Sequence, residues 1–304
     1  MNAQDNLDIT GTDRVRFHLA GRSVKLDPRL HAVRRDLADI SLAGTLFAPH
    51  YAKAQATRCI ASGAFLRAKG DAQTEAVSQL LYGETFHVLD ITGGWAWGFC
   101  GHDGYVGYVE RTALSASAVA AQPTHRISTI SAPVFAGASI KAAINDFLPC
   151  GALICGTREG DFVASAKGFI HIRHLVAADH AESDWVKAAQ QYVGQPYVWG
   201  GRGAGGVDCS GLIQVALGQC GRQVPRDSDL QRESIGLPLS DDADLQRGDF
   251  LFFPGHVGIM VDRENMLHAN AYWMTTLVEP LTDILARLST THNQPILARR
   301  RITS

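Results

Sequence analysis

The stretch that decides the fold occupies positions 207–217 and reads Val-Asp-Cys-Ser-Gly-Leu-Ile-Gln-Val-Ala-Leu. The loop before it, 200–206, holds five glycines and is too flexible to belong to a helix. After Cys209 the apolar residues recur at helical spacing and share one face: Leu212, Ile213, Ala216, Leu217 and Cys220. Gly221 is the residue type on which a helix commonly ends. The pattern predicts a buried helix with a cysteine on its first turn.

A cysteine at the start of a helix is chemically useful because the thiolate, not the thiol, is the nucleophile. The positive end of the helix dipole helps to lower the pKa of a thiol placed there. Asp208 and Ser210 are both candidate caps for this helix. A nearby imidazole lowers the thiol pKa further and can take or return the proton. The rest of the chain must therefore supply a histidine if Cys209 is a nucleophile.

Two histidines in the last third of the chain meet this need. The segment 250–261 reads as a strand that carries His256. After a turn at 262–265, a returning strand carries His268. In such an antiparallel hairpin the two histidines are cross-strand or diagonal neighbours, so that one ring can orient the other.

The composition limits the classes of function. A chain of 304 residues has room for two or three domains. Its formal net charge of -2, with 19% charged residues, argues against a partner that is a nucleic acid or an anionic membrane. No apolar run reaches the length of a membrane span. The expected partner is a small peptide, and the oligomeric state is left open.

The cysteines do not form a metal-binding pattern. The six are widely spaced and include no CxxC pair: Cys59, Cys100, Cys150, Cys155, Cys209 and Cys220. Reduced, buried thiols in a cytosolic protein are the favoured interpretation. Neither a metal nor another cofactor is expected.

The N-terminal segment 1–55 is interpreted as a tail followed by an arm that packs on a later domain. Its first residues have neither the basic start nor the apolar core of a signal peptide. Together with the cysteine usage, this predicts a cytoplasmic protein. Export by a route without such a signal, and the role of 1–55, stay open.

Short strands separated by turns fill the middle of the chain. The segment 56–118 alternates apolar and polar residues between glycine turns and looks like a bacterial SH3-like barrel. A small-residue linker follows, and the segment 125–178 repeats the same spacing in weaker form, as a second SH3-like barrel. The remaining segment, 183–304, runs helix, glycine loop, helix and strands, which predicts an α+β domain.

The C-terminal third resembles the NlpC family of papain-like cysteine peptidases. Six pieces match that family in order: 194–201, 208–212, 225–228, 247–252, 255–260 and 267–269. Six pieces in order are far more specific than any one of them. With two SH3-like modules ahead of it, such a domain is similar to the γ-D-glutamyl-L-diamino acid endopeptidases of the dipeptidyl-peptidase VI type, which trim muropeptides. The expected fold is α+β, with two small SH3-like β-barrels followed by a papain-like cysteine peptidase domain.

The resemblance implies a role for each matching residue. Cys209 is expected to be the nucleophile, His256 the general base and then acid, and His268 the residue that orients it. Tyr197 occupies the position of a tyrosine near the oxyanion, where it and the Cys209 backbone N–H can stabilise the tetrahedral intermediate.

The resemblance also implies a set of substrate contacts. In muropeptide-trimming members the first barrel closes one end of the cleft, and a glutamate and a tyrosine from it help to hold the free amine of L-alanine. Glu84 and Tyr105 match these two residues. The other expected contacts line the cleft: Asp208, Ser210, Arg226, Asp227 and Ser228.

The function implied is hydrolysis of the γ-D-glutamyl–diamino acid bond of free muropeptides, such as L-Ala-γ-D-Glu followed by diaminopimelate or lysine, in the recycling of cell-wall peptides. Two alternatives stay open. One is a catalytically silent protein that binds cell wall or peptide through its SH3-like modules. The other is an amidase or acyltransferase that uses the same Cys-His site. The sequence does not reveal which diamino acid is accepted.

Overall fold

The computed structural model describes residues 26–116, 121–203 and 205–303. Residues 1–25, the predicted tail, lie outside the described residues. The N-terminal arm that follows forms a small parallel pair of strands and one 3₁₀ turn: β1 (Leu37–Asp39), the turn Ile40–Leu42 and β2 (His50–Ala52). The arm lies against the first sheet, since the Val106 backbone N–H donates to the Arg29 carbonyl oxygen.

The first sheet has six antiparallel strands in the order β3-β6-β7-β8-β4-β5. Alternate residues of these strands point inward to an apolar centre that includes Leu66, Leu80, Phe86 and Val109. A 3₁₀ turn at Arg111–Ala113 ends this unit. The strands are β3 (Gln55–Arg58), β4 (Gly63–Arg67), β5 (Ala76–Leu81), β6 (Thr85–Thr92), β7 (Trp95–Cys100) and β8 (Val106–Glu110).

The second unit consists of two sheets around a separate apolar cluster. Five strands run in the order β11-β10-β15-β14-β13, and three run in the order β12-β9-β16. Ile127, Val134 and Ile170 are fully buried between them. The strands are β9 (His125–Ile127), β10 (Ser131–Phe135), β11 (Ile144–Pro149), β12 (Leu153–Ile154), β13 (Gly156–Glu159), β14 (Phe162–Ser165), β15 (Gly168–His171) and, after the 3₁₀ turn Ile172–His174, β16 (Leu175–Ala177).

The third unit has a six-stranded antiparallel sheet, β19-β24-β20-β21-β22-β23, with helices on both faces. Its helices are α1 (Trp185–Gln190), α2 (Cys209–Gln219), α3 (Ser228–Ser234) and α4 (Leu281–Leu288). Its strands are β17 (Arg202–Gly203) and β18 (Gly206–Val207), which form a separate pair, then β19 (Leu237–Pro238), β20 (Phe250–Phe253), β21 (His256–Met260), β22 (Asn265–Asn270), β23 (Thr275–Pro280) and β24 (Ala298–Arg301).

Strand β20 shows how this sheet separates two apolar layers. Phe250 and Phe252 point to the face covered by α1 and α2, whereas Leu251 and Phe253 point to the face covered by α4. All four side chains are almost completely buried. Each such side chain contributes about 1.5–3 kcal/mol relative to its exposed state. The layers fix α2 against the strands that carry the two histidines.

The order of elements therefore agrees with a mixed helix and strand protein whose α+β part comes last. The sheets of the three units fall inside the predicted segments 56–118, 125–178 and 183–304, apart from the first residue of β3. The domain boundaries themselves, and the description of the second unit as an SH3-like barrel, stay predictions. None of the helices in the described ranges combines the length and apolarity needed to cross a bilayer.

Candidate functional site

Cys209 begins helix α2, as the sequence predicts. Asp208 caps the helix, since its Oδ1 accepts a hydrogen bond from the Gly211 backbone N–H at 2.7 Å. Ser210, the other candidate cap, lies inside the helix instead. Oδ2 of Asp208 accepts from the Gly200 backbone N–H at 2.8 Å, which ties the glycine loop to the helix start.

The two glycines around this turn have steric reasons to be glycine. Gly200 has a φ of +76°, and a Cβ there would lie 2.8 Å from the Ala76 carbonyl oxygen of the first sheet. A Cβ on Gly211 would collide with the Gly201 carbonyl oxygen. The loop can therefore approach both the helix and the first sheet closely because glycine has no side chain at these two positions.

His256 and His268 lie on the neighbouring strands β21 and β22. The register pairs Ile259 with Leu267, so that His268 is diagonal to His256. Nε2 of His256 lies 2.8 Å from Nδ1 of His268, within hydrogen-bond distance. The predicted hairpin and the diagonal contact of the two rings are confirmed.

A carboxylate that the sequence analysis missed lies next to His268, so that His256, His268 and this carboxylate form a row. Oε2 of Glu279, on β23, lies 2.8 Å from Nε2 of His268. The other oxygen of Glu279 accepts from Nε1 of Trp273 at 2.8 Å, and the Arg287 guanidinium donates to both oxygens. The available signal was an acidic residue on the strand that follows the second histidine. His268 itself has no exposed surface.

Burial dominates the electrostatics of the thiol and the first imidazole. It raises the pKa of Cys209 to about 12, with a further increase from Asp208 and opposition from the Val257 and Ser210 backbone N–H groups and the Arg226 cation. Burial likewise lowers the pKa of His256 to about 3, helped by His268 and Arg287 and opposed by Glu279. The Ser210 backbone N–H at the helix start does act to lower the thiol pKa, but burial outweighs it. Both groups are neutral at pH 7.

Cys209 lines a cavity of about 250 Å³ between the third unit and the first sheet. Seven residues predicted for the site share this cavity: Tyr105, Asp208, Cys209, Ser210, Arg226, Asp227 and Ser228. Cys209 is 5% exposed, and its Sγ lies 4.0 Å from the Gly255 carbonyl oxygen. The thiol is therefore nearly covered but borders an open space.

Arg226 is the cation of this cavity. Its guanidinium donates to Oδ2 of Asp208 at 2.6 Å and to the Ser210 hydroxyl at 2.9 Å. The side chain is only 1% exposed, and Nε is buried without a hydrogen-bond partner among the described residues. Asp208 therefore compensates much of the positive charge, and one N–H of Arg226 has no acceptor.

At the other end of the cavity, Asp227 joins three separated parts of the chain. Its Oδ2 accepts from the Tyr105 hydroxyl at 2.8 Å and from Nη1 of Arg29 at 2.8 Å. Burial raises the pKa of Asp227 above its usual value even though Tyr105, Arg226 and Arg29 oppose the shift. Arg29 also pairs with Asp27 and Asp229. The arm predicted to pack on a later domain thus reaches the cavity.

The structure does not bring Glu84 to this cavity. Its two carboxylate oxygens accept from the Arg202 guanidinium at 3.0 Å each, and Oε2 also accepts from the Leu81 backbone N–H at 2.8 Å. Burial works to raise the pKa of Glu84, but Arg202 and His102 outweigh it and lower the pKa. The residue is held inside the interface between two units, because a buried carboxylate needs a cation there.

Glu75 and Trp199 line the cavity in its place, and the sequence analysis assigned neither. Nε1 of Trp199 donates to Oε1 of Glu75 at 2.8 Å, between the third unit and the first sheet. Trp199 is 57% exposed. The one sequence signal for Trp199 was its position directly before the glycine loop.

Tyr197 lies on a second cavity, of about 480 Å³, with His256 and His268. Trp199 and Gly255 line both cavities, so that the two spaces adjoin near Cys209. Burial raises the pKa of the Tyr197 hydroxyl, and Cys209 and Asp208 raise it further. The hydroxyl therefore keeps its proton at neutral pH and can donate a hydrogen bond.

A group of potential metal ligands lies outside the residues that line either cavity. Ligand atoms of Cys100, His102 and Asp103 all lie within 4.8 Å of one another. The sequence analysis expected no metal and did not foresee this group. Asp103 accepts from Nε2 of Gln214 at 2.8 Å and lies 3.2 Å from Nε2 of His102. The nearby Arg202 cation stabilises the ionised Asp103 and opposes a metal cation there.

Comparison with protein families explains this arrangement. Residues 194–283 match the NlpC/P60 family, and residues 66–114 match the bacterial dipeptidyl-peptidase Sh3 domain. The chain carries an NlpC/P60 domain. An SH3-like domain of the dipeptidyl-peptidase type precedes it, as the resemblance in the sequence implies.

Curated relatives match about a third of this chain. A probable endopeptidase of Mycobacterium tuberculosis is 39% identical over 99 residues, which are 32% of this chain and 25% of that protein. Dipeptidyl-peptidase 6 of Lysinibacillus sphaericus is 38% identical over 87 residues, or 28% and 31% of the two chains. The gamma-D-glutamyl-L-lysine dipeptidyl-peptidase of Bacillus subtilis is 35% identical over 95 residues, or 28% and 31%. The match thus spans between a quarter and a third of each relative.

Solved structures extend the likeness to most of the fold. An NlpC/P60 family protein of Bacillus cereus superposes with a TM-score of 0.69 over 82% of this chain and 100% of that one, at 18% identity. An NlpC/P60 endopeptidase of Photobacterium damselae superposes with a TM-score of 0.53 over 81% and 71%, at 14% identity. At such low identity the likeness concerns the fold.

Proposed function

We propose that this chain is a cysteine peptidase that hydrolyses the γ-D-glutamyl–diamino acid bond of free muropeptides. The observation that carries the proposal is Cys209 at the start of a buried helix, on a cavity that adjoins the hydrogen-bonded pair His256 and His268. A thiol next to an oriented imidazole is the arrangement that nucleophilic catalysis needs. The names of the endopeptidase relatives support the same class.

In the proposed reaction, the Cys209 thiol gives its proton to His256 as the sulfur attacks the scissile carbonyl carbon. Nε2 of His256 is engaged by His268, so that Nδ1 is the nitrogen that takes the proton. The C–S bond forms while the carbonyl π electrons move to oxygen. When the tetrahedral intermediate collapses, the C–N bond breaks and the leaving amine takes the proton from His256. Water then attacks the thioester carbon and gives a proton to the imidazole. The C–S bond breaks, the acid is released, and the imidazolium returns the proton to the Cys209 sulfur.

The negative oxygen of the intermediate needs hydrogen-bond donors. We assign this role to the Cys209 backbone N–H and the Tyr197 hydroxyl. The first amide of a helix makes no bond within that helix, so it is free to donate. Burial keeps the Tyr197 hydroxyl protonated, as its raised pKa indicates. Such preformed donors stabilise charge that develops in the transition state.

The charged groups of the first cavity suit a peptide with a free amine and an α-carboxylate. Glu75, Asp227 and Tyr105 supply oxygen atoms for the ammonium group of L-alanine. Ser228 and the Arg226 guanidinium supply donors for the α-carboxylate of D-glutamate. Because Asp208 already balances Arg226, the carboxylate would be bound chiefly through hydrogen bonds. Glu84 has no part in this assignment.

A barrel that closes the amine end would select short peptides already freed from the glycan, because a longer chain would clash there. We therefore place the activity in the recycling of cell-wall peptides, in the cytoplasm. The proposal includes a second SH3-like module at 125–178, which lies farther from the cavity. These assignments of role, compartment and domains go beyond the family match.

The test uses L-Ala-γ-D-Glu-diaminopimelate, its lysine analogue and intact cross-linked peptidoglycan. The expected result is release of L-Ala-D-Glu from one or both tripeptides, much slower cutting of peptidoglycan, and no release by Cys209→Ala. Tight binding without turnover would replace the proposal by a binding function. Transfer of the glutamyl group to an added amine, without hydrolysis, would replace it by an acyltransferase. Equal rates on peptidoglycan would overturn the selection for free peptides.

A further inference from the structure

Glu279 receives more hydrogen bonds than a structural ion pair with Arg287 requires. Beside the two bonds from Arg287, it accepts from Trp273 at 2.8 Å and meets Nε2 of His268 at 2.8 Å. The carboxylate is 7% exposed. Asn270 adds a longer contact of 3.4 Å to Oε2. Together these groups surround a single buried acid at the end of the row of histidines.

The charge on Glu279 determines which ring nitrogens of His268 and His256 carry a hydrogen. Burial acts to raise the pKa of Glu279, but Arg287, Trp273 and His268 outweigh it and keep the pKa below its usual value. The ionised carboxylate can only accept hydrogen bonds, so Nε2 of His268 carries the hydrogen. A neutral imidazole has one N–H, so Nδ1 of His268 is an acceptor.

The tautomer of His268 in turn determines which ring nitrogen of His256 carries its hydrogen. Because Nδ1 of His268 accepts, Nε2 of His256 at 2.8 Å must donate. Neutral His256 then has a bare Nδ1. That nitrogen is the one the Cys209 thiol needs as its base.

We propose that Glu279 is a positioning residue that fixes the tautomers of His268 and His256 and so leaves Nδ1 of His256 unprotonated for Cys209. The proposal rests on the proposed nucleophilic role of Cys209. Without the carboxylate, His268 is free to carry its hydrogen on Nδ1. Nε2 of His256 would then have to accept, and its hydrogen would sit on Nδ1, where it blocks proton transfer.

The charge of Glu279 acts in the same direction during the reaction. When His256 takes the thiol proton it becomes a cation, and His268 accepts its Nε2–H. Arg287, on α4, opposes that cation, whereas Glu279 favours it. The glutamate therefore both selects the base form of His256 and stabilises the acid form that must follow.

The first experiment measures alkylation of Cys209 by iodoacetamide from pH 5 to pH 10, with the modified peptide quantified by mass spectrometry. We expect Glu279→Gln to slow alkylation at pH 7 by at least about tenfold and to move the half-maximal rate to higher pH. Glu279→Asp keeps the charge and is expected to restore part of the rate. On the tripeptide, Glu279→Gln should lower kcat by a similar factor and leave KM within about twofold.

Asp249→Asn is the matched control. Asp249 is a buried carboxylate of the same unit, bonded twice to Arg301 at 2.7 Å, and it is not part of the histidine row. Asp249→Asn should lower thermal stability without shifting the pH dependence of Cys209 alkylation. An equal shift in both variants, or a folded Glu279→Gln with the wild-type profile, would overturn the proposal.

A second measurement needs no variant of Glu279. ¹⁵N NMR of histidine-labelled wild-type protein distinguishes protonated from bare ring nitrogens, with His268→Gln used for assignment. We expect hydrogens on Nε2 of both His268 and His256; the opposite tautomers would overturn the proposal. Neither the alkylation nor the NMR measurement requires the peptide substrate. If the tautomers and the alkylation rates are as expected but the tripeptide is not cleaved, the proposed substrate is wrong. The proposed role of Glu279 is then still supported.

Discussion

The two ends of the proposed catalytic cleft, the histidine end and the proposed amine end, are built in different ways. At the histidine end, the contacts join residues 12 apart (His256 and His268) and 11 apart (His268 and Glu279). At the amine end, Asp227 contacts Tyr105, 122 residues away, and Arg29, 198 residues away. The first end therefore belongs to one sheet, whereas the second exists only when three separate parts of the chain pack together.

The difference extends to charge. Burial keeps Cys209 and His256 neutral, so the histidine end carries its charge on Glu279 and Arg287 behind the rings. The amine end holds clustered carboxylates beside a cation from the arm. We infer that the histidine end sets the rate of the chemical step, and that the amine end sets which peptides bind.

The largest expected effect is at the histidine end. His256→Ala removes the proposed base, so kcat should fall by about 10²- to 10⁴-fold while KM changes less than about twofold. Steady-state kinetics on the tripeptide, with the melting temperature as a check on folding, measure this. A rise in KM with an unchanged kcat would contradict the division of labour between the two ends.

A smaller effect is expected from Asp227→Asn at the amine end. A hydrogen bond to a charged group contributes about 1.5–3 kcal/mol, so kcat/KM for the free-amine tripeptide should fall about 10- to 100-fold, mainly through KM. The exposed Asp229, which shares the partner Arg29, is the matched control, and Asp229→Asn should change KM little. If the N-acetylated peptide is cut as well as the free-amine peptide by the wild type, the assignment of this end fails.

The arm gives a third, weaker test. Arg29→Ala removes the ion pairs with Asp27, Asp227 and Asp229, and the network is about one-third exposed at Arg29. We expect a loss of about 1 kcal/mol of stability and faster proteolysis near 27–36. Alkylation of Cys209 should not change. Arg34→Ala, which removes the pairs with Asp36 and Asp90, is the control on the same arm. A change of Cys209 alkylation in Arg29→Ala but not in Arg34→Ala would contradict the separation of the ends.

The last expected effect concerns the pH dependence of stability rather than catalysis. The pKa of His256 is about 3 in the folded protein, against 6.5 for a free imidazole. Above pH 6.5 neither the folded nor the unfolded state binds the proton, so titration of His256 does not change the free energy of unfolding there. Between the two pKa values only the unfolded chain binds it, so the free energy of unfolding falls as pH falls, by at most about 1.4 kcal/mol per pH unit.

Melting temperatures from pH 7 to pH 4 test this prediction. The wild type should lose stability more steeply with acidification than His256→Gln. Parallel curves for the two proteins would show that burial does not depress the pKa of His256.

The comparison also explains which residues the sequence could predict. Cys209, His256 and His268 lie in or beside regular elements whose periodicity is visible in the chain, and their positions follow from it. Glu84 was predicted for the amine end, but the structure pairs it with Arg202 and places Glu75 and Trp199 at the cavity. Which glutamate of a barrel faces the next domain depends on how the two units pack, and no local pattern encodes that.

The sequence by itself determined the helix that begins at Cys209, two candidate caps at Asp208 and Ser210, and the histidine hairpin, because helical and strand periods and a short turn fix these locally. Only the tertiary structure decided that Arg29 reaches Asp227, that Glu75 rather than Glu84 borders the cavity, and that Glu279 stands behind His268. It also decided the pKa of Cys209, since burial by distant residues outweighs the local helix start. Contacts between units depend on the packing of whole surfaces, and a sequence pattern records only one element at a time.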